Sequence, residues 1–404
     1  MHMKKALEDI LSIHGKEKIN KMKSSKEIKV VVIGGLHHNT LGVIRALGEK
    51  GITSLNIDVI LVERNINKKN FIAKSKYISS DKIRYLIKYD EIINQLLEIA
   101  EDRKKRVIIC CSDGTAEAVI SHKEELQDAY FLPSTEINVT DLMQKDIQTN
   151  IAQNEGIKVP DSRVVGIHEE IKWSKYPCIT KPIKSVLGAG KADIKISKNA
   201  DELKKALSDT DAECVQIQEF LSKEMEFQLI GCSIHKGEKI IIPGYTRIVR
   251  QPKNTNTGYL EYVPIDKLDN FDKRIVEKFI KKIGYSGLFS MEFIRDKKGN
   301  DYFLEINMRN DGNAYCVTCA GVNLPYIWSY YGTYHEIPTV NLNFDKNIWF
   351  IPDFEDVRIG IKECGIFLWI KQFVGAKAHS MFSIKDIKPF IYRFWMLVLM
   401  KINR

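Results

Sequence analysis

Hydrophobic positions in the first third of the chain fall in short unbroken runs. In the segments Lys29-Val30-Val31-Val32-Ile33, Asp58-Val59-Ile60-Leu61-Val62-Glu63 and Val107-Ile108-Ile109-Cys110-Cys111, all but the charged end residues Lys29, Asp58 and Glu63 are apolar, on consecutive residues and not alternate ones. That is the pattern of strands covered on both faces. Gly34-Gly35 and Ser112-Asp113-Gly114 supply turns, and helical stretches follow over Thr40 to Lys50 and from Thr115. Strands alternating with helices predict a Rossmann-like parallel sheet over residues 27–140, with helices on both faces. Before it, residues 1–26 are polar and Lys-rich, with a stripe of Leu7, Ile10 and Leu11 that predicts an appended helix or arm.

The pattern then changes. Asp141 to Asn154 has helical spacing, and Val159-Pro160 marks a boundary. From Pro177 to Ile242 short strands alternate with one helix, Ala200 to Ser208. The expected organisation is a small α+β lobe with its linker helix over 141–242, a larger α+β lobe over 243–340, and a C-terminal extension over 341–404. A chain of 404 residues is long enough for two or three cored domains.

Composition narrows the function classes. Hydrophobic residues at 44% and charged residues at 28% describe a globular protein. The net charge of +9 favours anionic partners such as nucleotides, phosphorylated substrates or an acidic membrane surface. The sequence offers no nucleic-acid-binding motif, so nucleic acid is not an expected partner. Eight cysteines are scattered, and the N-terminus is Lys/Glu-rich rather than apolar, which predicts a reducing cytoplasm and free thiols. Cys316 and Cys319 form a C-x-x-C without a second pair at zinc spacing, so packed small residues are expected there.

Candidate chemistry concentrates late in the chain. Met291-Glu292-Phe293 and Tyr302-Phe303-Leu304-Glu305-Ile306-Asn307-Met308-Arg309 have the character of two strands. Glu305 and Asn307, two apart, share one face of theirs. Glu292, Glu305 and Asn307 are hard oxygen donors of the kind Mg²⁺ takes beside nucleotide phosphates. Arg309 extends the same face and suits developing charge on a phosphoryl group or tetrahedral centre. The plain alternative is an edge strand with solvated polar residues.

Weaker signals lie upstream. Lys181 ends the strand Cys178 to Pro182, and Ser185-Val186-Leu187-Gly188-Ala189-Gly190-Lys191 has the small residues of a loop that closes over phosphates. It is not a Walker A loop, and a hairpin loop is the bland reading. Val215 to Leu221 runs as a strand into a turn, with Glu219 followed by Glu226. Such a strand end can pair with an adenine edge while an acid accepts the ribose hydroxyls; two solvated acids are the alternative. His37, His38 and Asn39 sit at the mouth of the Gly34-Gly35 turn, placed either to orient a substrate carboxylate or as a polar loop. The turn lacks G-x-G-x-x-G, which argues against a dehydrogenase.

Order ties these signals together. A helix lysine (Lys145), a strand lysine (Lys181), a Gly-rich loop, Gln218-Glu219-Phe220-Leu221, an acid, then Met291-Glu292-Phe293 and Leu304 to Arg309 resembles the ATP-grasp superfamily. Val32 to Gly48 looks like the domain preceding the grasp in carboxylate–amine ligases, most similar to the D-aspartate ligase type. Asn310-Asp311-Gly312-Asn313 and Ala320 to Pro325 follow the metal strand as in that type. The fold this resemblance implies is α/β: a Rossmann-like domain, then a two-lobed α+β ATP-grasp.

The resemblance also implies roles. Lys145 and Lys181 contact phosphates, and Ser185, Gly188 and Gly190 belong to the loop over the triphosphate. Glu219, Phe220 and Leu221 hold adenine, and Glu226 takes the ribose. Because no glycine precedes Glu226, Glu224 is an alternative ribose acid. Glu292, Glu305 and Asn307 bind the metal. Arg309 is catalytic, with Arg250 or Arg247 as a second cation on a loop, Thr246 to Gly258, that closes over substrate. The implied reaction uses ATP and Mg²⁺ (two ions, with Mn²⁺ as a substitute) to convert a small carboxylate to an acylphosphate and join it to an amine acceptor. Alternatives are a ligase amidating a sugar or peptide carboxylate in cell-wall or polysaccharide synthesis, and a catalytically silent ATP-binding scaffold.

The C-terminal segment adds one more expectation. From Lys362 to Arg404 there are eight Lys/Arg against two acids, Glu363 and Asp386, interleaved with Ile366 to Ile370 and Phe394 to Met400. Basic residues beside Trp-rich apolar segments predict peripheral contact with the inner face of an anionic membrane, or else a helical cap on the core. No apolar run reaches the ~18–20 residues of a spanning helix. A homodimer is left open.

Overall fold

The computed structural model describes residues 25 and 27–402, apart from 65–69, 170, 183–193, 211 and 252–256. Its first sheet is fully parallel. β1 (Val30–Gly34) lies between β2 (Ile57–Val62) and β4 (Arg106–Cys110), with β3 (Ile83–Leu86) and β5 (Tyr130–Phe131) at the edges, in the order β3-β2-β1-β4-β5. Val30 to Ile33 have no exposed surface, because helices cover both faces. Each such side chain is worth about 1.5–3 kcal/mol of burial. The edge strands β3 and β5 are short and carry little apolar pattern, which hides them in the sequence.

Strand order reverses between β1 and β4. The crevice at their C-terminal ends is where open α/β sheets receive ligands. Helix His38–Glu49 starts above β1, and helix Asp113–Ser121 starts above β4. Ser112 caps the second with a reciprocal Ser–Thr box through Thr115, which fixes where Asp113 emerges.

The small lobe is a four-stranded antiparallel sheet, with β6 (Ser162–Gly166), β7 (Cys178–Pro182), β8 (Lys195–Ser197) and β9 (Cys214–Glu219) in the order β6-β9-β7-β8. Its core is small: Val165, Cys178, Leu203, Leu207, Val215 and Ile217.

The large sheet has eight strands: β10 (Lys223–Ile234), β11 (Lys239–Ile241), β12 (Gly244–Arg250), β13 (Tyr259–Pro264), β14 (Gly287–Asp296), β15 (Asp301–Asn307), β16 (Ile348–Ile351) and β17 (Ala378–His379). The order is β15-β14-β10-β12-β13-β16-β17, with β11 paired to β10. β10 and β11 lie N-terminal of the expected break at 242, so that break cuts through the sheet. β10 is continuous over twelve residues and pairs with β14 along nearly its full length. Its apolar half therefore belongs to the large sheet's core.

The extension beyond 340 is partly built into the sheet through β16 and β17, and carries helices Val357–Cys364, Ile366–Gly375 and Lys388–Ile402. Two buried ion pairs fasten it. Arg45 donates to Asp386 at 3.0 Å and to the Met381 carbonyl at 2.9 Å, and Asp386 also accepts from Ser75 at 2.8 Å. Arg250 grips Asp356 with two bonds of 2.9 and 2.7 Å and reaches Gln372 at 3.0 Å. No helix among the described residues is long and apolar enough to cross a membrane.

The second pair yields a prediction. Arg250→Met leaves the fully buried Asp356 carboxylate without its cation, which costs about 3–5 kcal/mol. Urea unfolding should show that loss, while turnover per folded molecule stays near wild type. A large fall in kcat at unchanged stability would instead return Arg250 to the reacting centre.

Candidate functional site

Three adjacent strands set the acidic end of the site. Gln228 on β10 is the register partner of Glu292 on β14, and Glu292 is the partner of Glu305 on β15. Paired residues point to one face, so the three side chains form a row. Gln228 donates to Glu292 at 2.9 Å. Asn307, two residues along from Glu305, donates to Glu292 at 3.4 Å and to Ser290 at 3.4 Å, which leaves its carbonyl oxygen for another partner. A bulge follows Glu292 in this ladder, and the local twist it brings ends the regular alternation beside the acids.

β15 is an edge strand. Gln148 fastens helix Lys145–Asn154 to it by accepting from the Ile306 N–H at 2.9 Å and donating to the Ile306 carbonyl at 3.2 Å. That side-chain amide stands in for a neighbouring strand and holds Lys145 over the carboxylates. Lys145 lies 3.0 Å from Glu305. Burial works to raise the Glu305 pKa, but Lys145, Lys181 and Arg309 overcome it and hold the carboxyl down at about 2. Glu305 is therefore ionised across the physiological range.

Lys181 on β7 donates to Gln218 at 3.1 Å. Burial, with the Lys145 charge beside it, pushes its ammonium down to about 8. A lysine held near neutrality in a cleft marks a place that gains from an incoming anion. As pH rises through about 8 the free protein loses this charge, so ATP affinity should fall about tenfold between pH 7 and 9. Near pH 8 the bound triphosphate should restore the proton, so calorimetry in buffers of differing ionisation enthalpy should record proton uptake. Lys181→Met should remove both effects; an unchanged pH profile in that variant would assign the titration elsewhere.

Two carboxylates and an amide carbonyl are suitable Mg²⁺ donors, with phosphate oxygens and water completing the shell. Among the described residues no group of three or more His, Cys, Asp or Glu is arranged to hold a metal. The donor set therefore fits an ion shared with a nucleotide better than an all-protein cage.

Arg309 follows β15 at the switch point of the parallel sheet. It lies 3.1 Å from Asp113 and 2.8 Å from Asp311, and these carboxylates raise its pKa against the opposing effect of burial. Asp311 also accepts from Ser290 at 2.9 Å and lies 3.4 Å from Gln228. One cation thus joins the first helix after β4, the acid row and the Asn310–Asn313 turn.

His37 caps helix His38–Glu49 by accepting from the Asn39 N–H at 3.2 Å. His37 keeps exposed surface, yet the protein groups crowded around its ring and the nearby Arg309 charge lower its pKa. His38 is lowered further by burial and by His37. Both imidazoles are neutral at pH 7, so they offer hydrogen bonds but no charge.

Three expectations are corrected. Asn39 is not free to orient substrate: it donates to the Cys111 carbonyl at 2.8 Å and the Asn310 carbonyl at 2.7 Å, and accepts from Asn310 at 2.5 Å. It locks the Asn310–Asn313 turn to the parallel sheet. Arg247 pairs in register with Phe227, which stacks on Phe293 in the core, so it projects from the face opposite Gln228 and Glu292. Its partner there is Glu261. Arg250 is committed to Asp356 in the C-terminal cap, as above. Neither arginine supplies a second cation to the acid row.

The link between small and large sheets is Glu219-Phe220-Leu221. The Glu219 carboxylate accepts from the Asp161 N–H at 3.0 Å, and the Phe220 N–H donates to the Pro177 carbonyl at 3.0 Å. Glu226 shares the face of Gln228 and pairs with Lys223 at 2.6 Å. The β10 bulge between Lys223 and Met225 breaks that alternation at Glu224, which favours Glu226 of the two acids. Ser185, Gly188 and Gly190 lie outside the described residues, as does the middle of the Thr246 to Gly258 stretch.

Sequence reasoning misses Asp113, Gln228, Ser290 and Asp311 as site residues. Asp113 stands inside a turn signal, Asp311 inside a quoted motif, and Gln228 and Ser290 have no signal beyond strand register with Glu292 and Asn307.

Comparison with known proteins agrees with this geometry. The ATP-grasp domain family matches residues 150–323. The chain is 22% identical over 302 residues to the D-aspartate ligase of Enterococcus faecium (strain Aus0004), covering 64% of this chain and 70% of that one. Among solved structures, an L-amino acid ligase from Bacillus licheniformis superposes with a TM-score of 0.56 at 14% identity, over 76% of this chain and 75% of its own. N5-carboxyaminoimidazole synthetase from Staphylococcus aureus gives 0.58 at 15% identity, over 79% and 81%. The strand-borne acids and Lys181 lie within residues 150–323, the span that matches the ATP-grasp domain family, and the solved structures share the fold.

Proposed function

We propose that this protein is an ATP-dependent ligase that activates a small carboxylate as an acylphosphate and joins it to an amine. The observation that carries the reading is the position of Arg309, between the acid row and the mouth of the parallel sheet. Nucleotide phosphates on one side and an organic carboxylate on the other meet there. The activity of the Enterococcus faecium relative, a D-aspartate ligase, makes an amino acid the first carboxylate to try.

Each residue then has a task. Lys145 and Lys181 neutralise the triphosphate, while Glu219 to Leu221 and Glu226 hold the nucleoside. Glu292, Glu305 and Asn307 would hold Mg²⁺, as one or two ions, or Mn²⁺ in its place, and the ion would supply positive charge to offset the phosphates during transfer. A carboxylate oxygen forms a bond to the γ-phosphorus as the bond to ADP breaks. The amine then attacks the carbonyl carbon, phosphate leaves with that oxygen, and the amine gives up a proton. Arg309 stabilises the oxyanion formed on the way, and neutral His37 offers a hydrogen bond without competing charge.

Hydroxylamine tests the reading, because it intercepts acylphosphates as hydroxamates. A panel of amino and hydroxy acids with ATP and Mg²⁺ should yield hydroxamate for one class of acid. ATP bound tightly with no hydroxamate and no ADP from any acid would favour the scaffold reading.

A further inference from the structure

We infer that the two C-terminal helices form a docking surface for an anionic lipid bilayer, a role separate from the reaction chemistry. Helix Ile366–Gly375 turns Trp369 and Phe373 inward against Tyr259 and Ile351, and Gln372 on that side meets Arg250. Its opposite side carries Phe367, Ile370, Lys371 and Val374, at the i, i+3, i+4, i+7 spacing of one helical face. Phe367 is 87% exposed and Val374 78% exposed, so this apolar face has no cover among the described residues.

Helix Lys388–Ile402 repeats the arrangement. Phe390 stacks on Phe354 with ring centres 5.1 Å apart. Phe373 and Phe390 both meet Phe382, at 5.9 and 5.4 Å, so the two helices rest on one aromatic base. Beyond it, Phe394 to Met400 is an unbroken apolar run with no buried member, and Trp395 is 58% exposed. Uncovered apolar surface on this scale marks an interaction site.

Charge selects the occupant. From Lys362 onward the sequence carries eight Lys/Arg against two acids, of which Asp386 is buried against Arg45; Lys385 reaches Glu49 at 3.8 Å. Glu363 alone is left at the surface. Lys371 stands in the apolar face of the first helix, and Lys388 is exposed at the start of the second. A second copy would set this positive surface against itself, whereas anionic headgroups complement it. A 15-residue helix is about 22 Å long, short of the ~30 Å hydrocarbon core. The helices therefore lie in the interface, with Phe and Trp at headgroup depth.

The test uses full-length protein sedimented with vesicles of phosphatidylglycerol and phosphatidylcholine, or of phosphatidylcholine alone. Binding should require the anionic lipid and weaken with salt. The double variants F367E/V374E and W395E/L399E change exposed positions, and each should reduce binding about tenfold or more, with ATP affinity and thermal melting unchanged. Failure of wild type to bind anionic vesicles, or equal partitioning by the variants, overturns the inference. So does a wild-type dimer that the variants render monomeric in the absence of lipid binding, because the face would then belong to a second copy.

Discussion

Arg309→Ala should lower turnover by about 10²–10³-fold, the scale seen when one preorganised oxyanion donor is lost, while ATP affinity changes little. The ion-pair partners of Arg309 are Asp113, at the mouth of the parallel sheet, and Asp311. Removing it also strands those two carboxylates, so some stability will be lost, and kcat must be compared per folded molecule. Arg309→Lys separates the effects. It keeps a charge between the acids and should restore most of the stability, but it lacks the planar fork and should recover only part of kcat. Should ATP affinity collapse while turnover of bound nucleotide stays normal, Arg309 is a nucleotide ligand and its assigned role is wrong.

Glu305→Gln has the second large effect. The substitution keeps shape and removes one charge from the acid row. Turnover should fall about 10²–10³-fold as metal binding weakens, equivalent to roughly 3–4 kcal/mol of transition-state stabilisation. Its sign in binding is diagnostic. Glu305 is ionised and sits beside Lys145 and Lys181, where it competes with the triphosphate for both lysines. Without metal, Glu305→Gln should bind ATP as well as wild type or better; with Mg²⁺ it should bind worse. Equal loss with and without the metal would mean that Glu305 only positions Lys145.

Much of this is legible in the chain itself. Unbroken apolar runs around Val30 and Val107 require a sheet covered on both sides, and that sheet is present. The i, i+2 spacing of Glu305 and Asn307 puts both on one face, because strand geometry allows nothing else. What sequence does not supply is register. Gln228 becomes a neighbour of Glu292 only through the β10–β14 pairing, and Arg247 falls on the back of the sheet through its pairing with Phe227 on β10. Long-range ion pairs are equally hidden. The partner of Arg250 is 106 residues away, and a basic residue ahead of a polar loop looks the same whether it faces a substrate or a buried aspartate. Asn39 illustrates the converse: polar residues at a helix mouth can be fully used by the fold.

The route of the phosphoryl group can be followed by isotope. A carboxylate substrate labelled with oxygen-18, turned over with ATP, Mg²⁺ and an amine, should deliver one label into the released inorganic phosphate, with ADP as the other product. Label appearing in AMP, or phosphate released without label from a turning-over enzyme, would contradict the acylphosphate account.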